Sequence, residues 1–386
     1  MSRDNNICFV YTNARSIVNK IPDLCSIVSA LSPSLMCITE TWLDDTYPSA
    51  ILSLNDYVIY RRDRGKRGGG LLIAIKNTFV IREVTQSTCT ELIAVDIMNP
   101  NFTLRVIVGY IPKIADTIYL DKFLSEMTDF AHKSKNFVIF GDFNIPEFNW
   151  DSYTYPIKKS YNMFKNFIDK LSPVSQLINF PTRHDHILDV ILTNRPDLFS
   201  QIRPDPPLGN SDHVVVVGTM SLKIKQDSVV IIRKDFVNAN YSQIIDYLNK
   251  NFQNFFINKE PQFLWNKFYS IVNACISNFV QNKKIYIHKN RLVTFKTHCL
   301  YIKLKRFYRK WKISGDMAYL RAYKLTKSKL RQNVKQTRCK YESRLVSSQN
   351  RLKFFRYVNS MLNHKTNENL SIKDKWKCYD RSVKCR

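Results

Sequence analysis

The run NFVIFGDFNIPEFNW, Asn136 to Trp150, sets an acid and an amide, Asp142 and Asn144, two residues apart just after an apolar stretch. Other polar residues sit at similar joints. Asn13 closes ICFVYTN, Glu40 follows LMCIT, and Tyr110 closes FTLRVIVGY. Asp189 lies inside HILDVILTN, and Asn210, Ser211, Asp212 and His213 run directly into VVVVGTM. Singly, each has a plain explanation as a turn or cap residue, because Asx and Ser are common where strands end. Jointly they supply what hydrolysis of a phosphodiester requires. A hard cation such as Mg²⁺ takes one or two carboxylates and keeps several waters, and Glu40 and Asp212 are candidates for it. Asp142 suits the group that orients or deprotonates the attacking water. If the strand stays extended past Asp142, Asn144 faces the same side and offers its amide to the nucleophile or to a phosphate oxygen. A histidine held by an acid remains cationic and stabilises charge building on phosphorus, a pairing that His213 and Asp189 can make.

The elements that must carry these residues alternate between two periods. Short β-branched and aromatic runs, including 7–13, 35–39, YVIYRR, GGGLLIAIK, LIAVDIM, FTLRVIVGY, NFVIFGD and 186–194, predict strands. NKIPDLCSIVSAL (19–31), IYLDKFLSEMTDFAH (118–132) and YNMFKNFIDKL (161–171) have helical spacing. The mixture predicts an α/β layered fold with its polar residues at strand ends, where such folds place sites.

Charge divides the chain. Residues 221–386 hold 37 of the 59 Lys and Arg residues but 9 of the 32 acids, while residues 1–220 are close to neutral. Such an excess favours a polyanionic partner, nucleic acid above all, through counterion release. Residues 241–365 contain no Gly or Pro other than Pro261 and Gly315, and their apolar positions recur at helical spacing. Leu300, Leu304, Phe307 and Trp311 form one stripe, and Leu330, Val334, Tyr341 and Leu345 another. Lys303, Lys305, Arg306, Arg309 and Lys310 lie between the first set. One such helix is an ordinary amphipathic helix with a solvated face; repetition over a long tract with few acids favours phosphate binding. Nine scattered cysteines without a C-x-x-C pair argue against a zinc module or a secreted disulfide frame. No stretch approaches the roughly 20 apolar residues of a membrane span. The start lacks a signal-peptide pattern, so the expected location is nucleus or cytoplasm, without secretion.

The stretches TNARSIVNKIPDL, ITETWLDD, RRDRGKRGGGLLIAIK, GDFNIPEFNW, NFPTRHDHILDVILTN and NSDHVVVV together resemble the endonuclease/exonuclease/phosphatase superfamily with the DNase I-like fold. Within it they are most similar to the apurinic-like endonuclease domains of non-LTR retrotransposons of the jockey and CR1 type. The resemblance spans roughly residues 6–218. It implies a four-layered α/β sandwich of two facing mixed sheets flanked by helices, followed here by a basic, mainly α-helical C-terminal region. It implies an endonuclease domain over 1–220, a linker over 221–240, and a basic helical region over 241–386.

By position, the resemblance gives Glu40 the divalent metal, Mg²⁺ with Mn²⁺ as a substitute, with Asn13 supporting it. Tyr110 contacts the scissile phosphate, and Asp142 is the water-activating group with Asn144 as its partner. Asp189 holds His213, Asp212 completes the carboxylates, and Thr182 and Ser211 serve the phosphate and the His213 loop. The implied activity is nicking of one DNA strand to leave a 3′-hydroxyl. DNA is the implied partner and element RNA a second one, without a membrane or a small-molecule cofactor. Val215 stands two residues after His213, where the family usually has proline, and Ile111-Pro112-Lys113 replaces the more frequent proline pair. RLKFFRYVNSMLNHKT (351–366) resembles the linker before a reverse transcriptase, yet no aromatic-x-Asp-Asp motif follows. A truncated or domesticated fragment is the expectation, with a catalytically inactive nucleic-acid-binding remnant as the alternative.

Overall fold

The protein was analysed as a computed structural model, which describes residues 6–362 except 53, 55, 66–67, 100, 114, 151, 153, 223–229, 237, 254–259, 287–293 and 349. The first strand, β1 (Asn6–Asn13), leads through helix α1 (Ile21–Leu31) to β2 (Leu35–Thr39). Pro22 fits the first turn of α1, where its missing N–H costs nothing, and Ser32 in a left-handed backbone closes the helix. β3 (Tyr57–Arg62), β4 (Leu71–Lys76), β5 (Ile81–Gln86), β6 (Leu92–Met98) and β7 (Thr103–Tyr110) follow. Helix α2 (Thr117–His132), capped by the Asp116 carboxylate on the Tyr119 amide, precedes β8 (Phe137–Asp142). Helix α3 (Lys159–Leu171), a short β9 (Ser175–Gln176), β10 (Asp189–Thr193), β11 (Phe199–Asp205) and β12 (Val215–Ser221) complete this part.

Two six-stranded sheets result, in the orders β11-β12-β1-β2-β4-β3 and β5-β6-β7-β8-β10-β9. One apolar core fills the space between them, with Phe9, Tyr11, Val106 and Phe140 at its centre. A second lies between the second sheet and helices α2 and α3. This is the expected DNase I-like sandwich. The strands read as near-continuous apolar runs because both faces of the central ones are covered. β5 and β11 were not expected from the sequence. Both are edge strands with mostly exposed or half-buried side chains, so their patterns carry little apolar signal.

The remaining elements are β13 (Val230–Lys234), α4 (Tyr241–Phe252), α5 (Pro261–Phe279), β14 (Asn282–Tyr286), α6 (Phe295–Ser314), α7 (Met317–Ser347) and α8 (Arg351–Leu362). The region is mainly helical, as expected, with one correction. Asn282–Tyr286 is a strand paired antiparallel with Val230–Lys234, where continuous helical spacing was read. Within the motif at 351–366, residues 351–362 are α8, while 363–366 and the terminal DKWKCYDRSVKCR lie outside the described residues.

Contacts divide the chain into two units, Gln226–Arg291 on one side and Met1–Lys225 with Leu292–Arg386 on the other. In the smaller unit, α4 packs on α5 through Tyr247 against Phe279 and Phe252 against Phe268. In the larger unit, α6 and α7 lie against α1 on the outer face of the first sheet. Leu304, Tyr323 and Leu330 join Leu24, Ile27 and Met36 in a third apolar core. Two buried acids fasten this layer. Asp205 accepts from the Tyr301 hydroxyl at 2.9 Å and pairs with Lys305 at 2.7 Å. Asp23 accepts a two-pronged bond from Arg331 at 2.9 and 2.5 Å. No helix among the described residues is long and apolar enough to cross a membrane.

Candidate active site

Strand direction explains why residues far apart in sequence meet. β1 and β2 run parallel, as do β7 and β8, so Asn13, Glu40, Tyr110 and Asp142 all lie at the carboxyl ends of their strands. β12 and β10 run antiparallel to these neighbours, so Asp189 and His213 reach the same end from the amino side of theirs. Register sharpens this. Tyr110 lies beside Asp142, and Asp142 beside Asp189, on three adjacent strands of one sheet. The other sheet brings Asn13, Glu40 and His213 to face them.

The bonds between these groups span both sheets. The Asn13 amide donates to Glu40 Oε1 at 2.8 Å and to Asp142 Oδ2 at 2.7 Å, holding two carboxylates with one nitrogen. His213 Nδ1 meets Asp189 Oδ2 at 2.6 Å, and its Nε2 lies 3.9 Å from Asp142 Oδ2. Tyr11 donates to Asp189 Oδ1 at 2.9 Å, and burial raises the Tyr110 hydroxyl, with the Glu40 and Asp142 charges adding to it. Asp142, Asp189 and His213 are each at most 1 % exposed, whereas Glu40 is half-buried.

Burial pushes the Asp142 carboxyl up to about 7, with the Asp189 charge adding to it and His213 and the Asn13 amide opposing. Burial alone would lower the His213 imidazole, but the Asp189 carboxylate outweighs it and the net shift is upward, favouring the cation. Burial would raise Asp212, yet Arg15 and Arg183 overcome it and hold the carboxyl below its usual range.

The residues singled out over 13–213 lie in or beside this cluster, with one correction of detail. Asn144 does not continue an extended strand. β8 ends at Asp142, Asn144 takes a left-handed backbone with φ 49°, and its amide donates to the Ile111 carbonyl at 2.8 Å. Thr182 and Ser211 make bonds within the fold that orient the site and shape the His213 loop. Thr182 is enclosed, its hydroxyl accepting from the amides of Leu188 and Asp189, and Ser211 donates to the Asn13 carbonyl at 2.8 Å. Both therefore position other residues. Lys305 is not a free cation, being paired with Asp205; Lys303, Arg306 and Arg309 are exposed on α6 and Lys310 is half-buried there.

Several contributors were not foreseen although each lies within a quoted stretch. Arg15 and Arg183 grip Asp212 Oδ2, at 2.9 and 2.6 Å. Trp42 donates to Glu40 Oε2 at 3.2 Å. Arg64 pairs with the buried Glu91 and lies 5.7 Å from the centre of the Tyr110 ring. The signal was a charge of the right sign inside a stretch already singled out, but its target is visible only in three dimensions.

Glu40 and Trp42 also have left-handed backbones, φ 49° and 55°, conformations that non-glycine residues rarely keep without support. The glycine loop supplies that support. The amides of Thr41 and Trp42 donate to the carbonyls of Gly70 and Gly69, and Gly70 has φ +87° with space for no side chain, since a Cβ would lie 2.5 Å from Thr41 Oγ1. Gly70→Ala is expected to cost about 1–3 kcal/mol and to displace Glu40. Thermal melting checks the first effect and a crystal structure of the variant the second.

For a metal, the donor set fits. Glu40 and Asp142 face each other across one amide, and Asp212 Oδ1 is buried without a hydrogen-bond partner. Hard carboxylate oxygens of this kind suit a hard divalent cation. Asp142, Asp189 and His213 also lie within 4.8 Å of one another. The short bond between Asp189 and His213 suits that trio to handling protons, and Glu40 is the half-buried acid that could hold a cation.

The chain matches the model of the Endonuclease/Exonuclease/phosphatase family over residues 11–213. Among solved structures it is similar to the 3′ phosphatase NExo from Neisseria bound to product DNA hairpin, at 17 % identity and a TM-score of 0.46, covering 55 % of this chain and 99 % of that one. It is similar to the AP endonuclease LMAP from Leishmania major, at 14 % identity and a TM-score of 0.48, covering 57 % and 89 %. It is also similar to the endonuclease domain of TRAS1, a telomere-specific non-LTR retrotransposon, at 16 % identity and a TM-score of 0.46, covering 56 % and 99 %. A search of curated proteins finds no match. Carrying the sandwich, the clustered acids and a family match over more than half its length, the chain belongs to the Endonuclease/Exonuclease/phosphatase family.

Proposed function

We propose that this protein is a Mg²⁺-dependent DNA endonuclease, derived from a non-LTR retrotransposon, that nicks one strand by hydrolysing a phosphodiester. The observation that carries the reading is the chain Glu40–Asn13–Asp142···His213–Asp189, assembled from both sheets at one end of the sandwich. Asp142, fixed by Asn13 on one oxygen and by the Asn144 amide on the other, takes a proton from the attacking water. The new oxygen–phosphorus bond forms as the bond from phosphorus to the 3′ oxygen breaks, leaving a 3′-hydroxyl and a 5′-phosphate. His213, kept cationic by Asp189, donates from Nε2 to the oxygens on which charge accumulates. On this reading the Tyr110 hydroxyl donates to the same phosphate.

Glu40, with Asn13 beside it and Asp212 Oδ1 as a second oxygen, would hold the metal. When bound, the cation supplies charge neutralisation at the phosphoryl and leaving oxygens. The motif set supports retrotransposon descent, and the charge imbalance supports a division of labour. In it residues 1–220 cut, 221–240 connect, and 241–386 hold nucleic acid, DNA or element RNA, in the nucleus or cytoplasm.

A plasmid-relaxation assay tests the reading. Wild-type protein with Mg²⁺ converts supercoiled plasmid to open circles, EDTA stops it, and Glu40→Gln raises the Mg²⁺ concentration required. Salt-dependent DNA binding without any nicking would instead identify a non-catalytic remnant.

A further inference from the structure

Between α7 and the loops beside α1 and before β12 lies an open cleft of about 390 Å³. Lys20, Lys324, Lys327 and Arg331 line it, against a single acid, Asp23. Asp23 is already committed to Arg331 at 2.5 Å and sits 3.8 Å from Lys327. The excess is therefore three cations without an acid of their own. Lys327 Nζ donates to the Gly209 carbonyl at 2.6 Å, and Lys20 Nζ to the carbonyls of Ala14 and Arg15 at 2.6 and 2.7 Å. These contacts fix the ammonium groups in place without neutralising them. Burial is the main cause that lowers the pKa of both lysines; at Lys20 Arg15 adds to it while Asp212, Asp23 and Glu40 oppose it, and at Lys327 Asp23 opposes it while Arg331 adds to it.

The cleft adjoins the catalytic end through two segments. Asn210, on its wall, is followed by Asp212 and His213, and Lys20 clamps the turn that carries Asn13 and Arg15. Three residues of extended chain span at most about 11 Å, so Asn210 lies within about three nucleotide steps of His213, at about 3.4 Å per step along a strand.

We propose that this cleft binds the backbone phosphates of the DNA strand a few nucleotides from the scissile bond, so that α7 extends the substrate track of the nuclease. The identity of the occupant as substrate DNA rests on the endonuclease reading; the anion preference of the cleft does not. Lys324 is the cation to vary, because it is exposed and makes no bond that holds the fold.

The experiment measures binding of the full-length protein to a labelled DNA duplex by fluorescence anisotropy across a KCl series, with EDTA present so that nothing is cut. Lys324→Ala is expected to reduce the slope of log affinity against log salt by about 0.9, the value for one phosphate contact, and to weaken binding severalfold at fixed salt. Lys324→Arg restores the slope. Lys340→Ala, exposed on the same helix but outside the cleft, leaves it unchanged. Equal slopes for wild type and Lys324→Ala, or equal losses for Lys324→Ala and Lys340→Ala, would overturn the proposal. Plasmid relaxation by the same preparations separates the two readings. A Lys324-specific slope in a protein that never nicks keeps the phosphate site and removes the nuclease; nicking with no Lys324 effect does the reverse.

Discussion

On the proposed function, Asp142→Asn is expected to lower nicking by about 10²–10⁴-fold, the range for loss of a positioned proton-transfer group, with little change in the stability of the fold, because relief of charge repulsion offsets one lost hydrogen bond. The two outcomes come from the same geometry. The substituted side chain keeps the shape of the carboxylate, so packing survives, but its single oxygen accepts from only one of the two donors that hold Asp142, the Asn13 side chain and the Asn144 N–H. It also removes one of two buried negative charges on adjacent strands, a pair whose repulsion contributes to the raised Asp142 carboxyl. Removing electrostatic strain stored in an active site favours the fold even as function is lost. His213→Ala is expected to fall in the same range, and the double variant to lose little beyond either single one, because the groups act on one transition state. Plasmid relaxation gives the rates and thermal melting the stability. Undiminished nicking by Asp142→Asn removes that residue from the chemistry; a collapse of melting temperature alongside the lost activity reduces it to a structural acid.

What could be read from the amino-acid order was the part governed by local periodicity. LMCIT is apolar at every position but its last because both faces of β2 are covered, and its strand has the bounds its composition suggests. The acids at strand ends were visible for the same reason, since a charged residue beside an apolar run marks where that run stops, although Asp142 and Asp189 prove to be buried there. Long-range decisions were not visible. Nothing local in Asn144 reveals a left-handed turn that sends its amide to Ile111, just past the neighbouring strand. Lys305 looks like its neighbours Lys303 and Arg306 until β11 brings Asp205 against it. Thr182 is polar and lies in a loop, the profile of a surface contact, yet the loop folds inward so that its hydroxyl satisfies two amides beside Asp189. In each case a single bond to a distant residue decides the role, and composition is silent about such bonds.

The same limit applies to the helical tract, whose basic surface invites the picture of a separate nucleic-acid-binding tail. The packing argues otherwise for α6 and α7, and Leu304→Ala puts that to a quantitative test. Leu304 is 5 % exposed in the core shared by the first sheet, α1, α6 and α7. Truncating a buried leucine costs about 2–5 kcal/mol, the spread reflecting how far the cavity can collapse. For a unit of this size each kcal/mol lowers the melting temperature by about 2–4 °C. Ile302→Ala on the same helix is the control. Its side chain is 52 % exposed, so the change is expected to stay within about 0.5 kcal/mol. Calorimetry decides between two architectures. If α6 and α7 are a layer of the sandwich, Leu304→Ala lowers the melting of the nuclease itself, and thermal loss of nicking shifts with it. If they are an appended module, the variant melts the helices early and leaves the temperature of catalytic inactivation where it was. Asp205 and Asp23, two buried acids of the sandwich bound to cations of these helices, favour the first outcome. A sandwich that folded without the helices would leave the apolar side chains of α1 that Leu304, Tyr323 and Leu330 cover, Leu24 and Ile27 among them, without that cover.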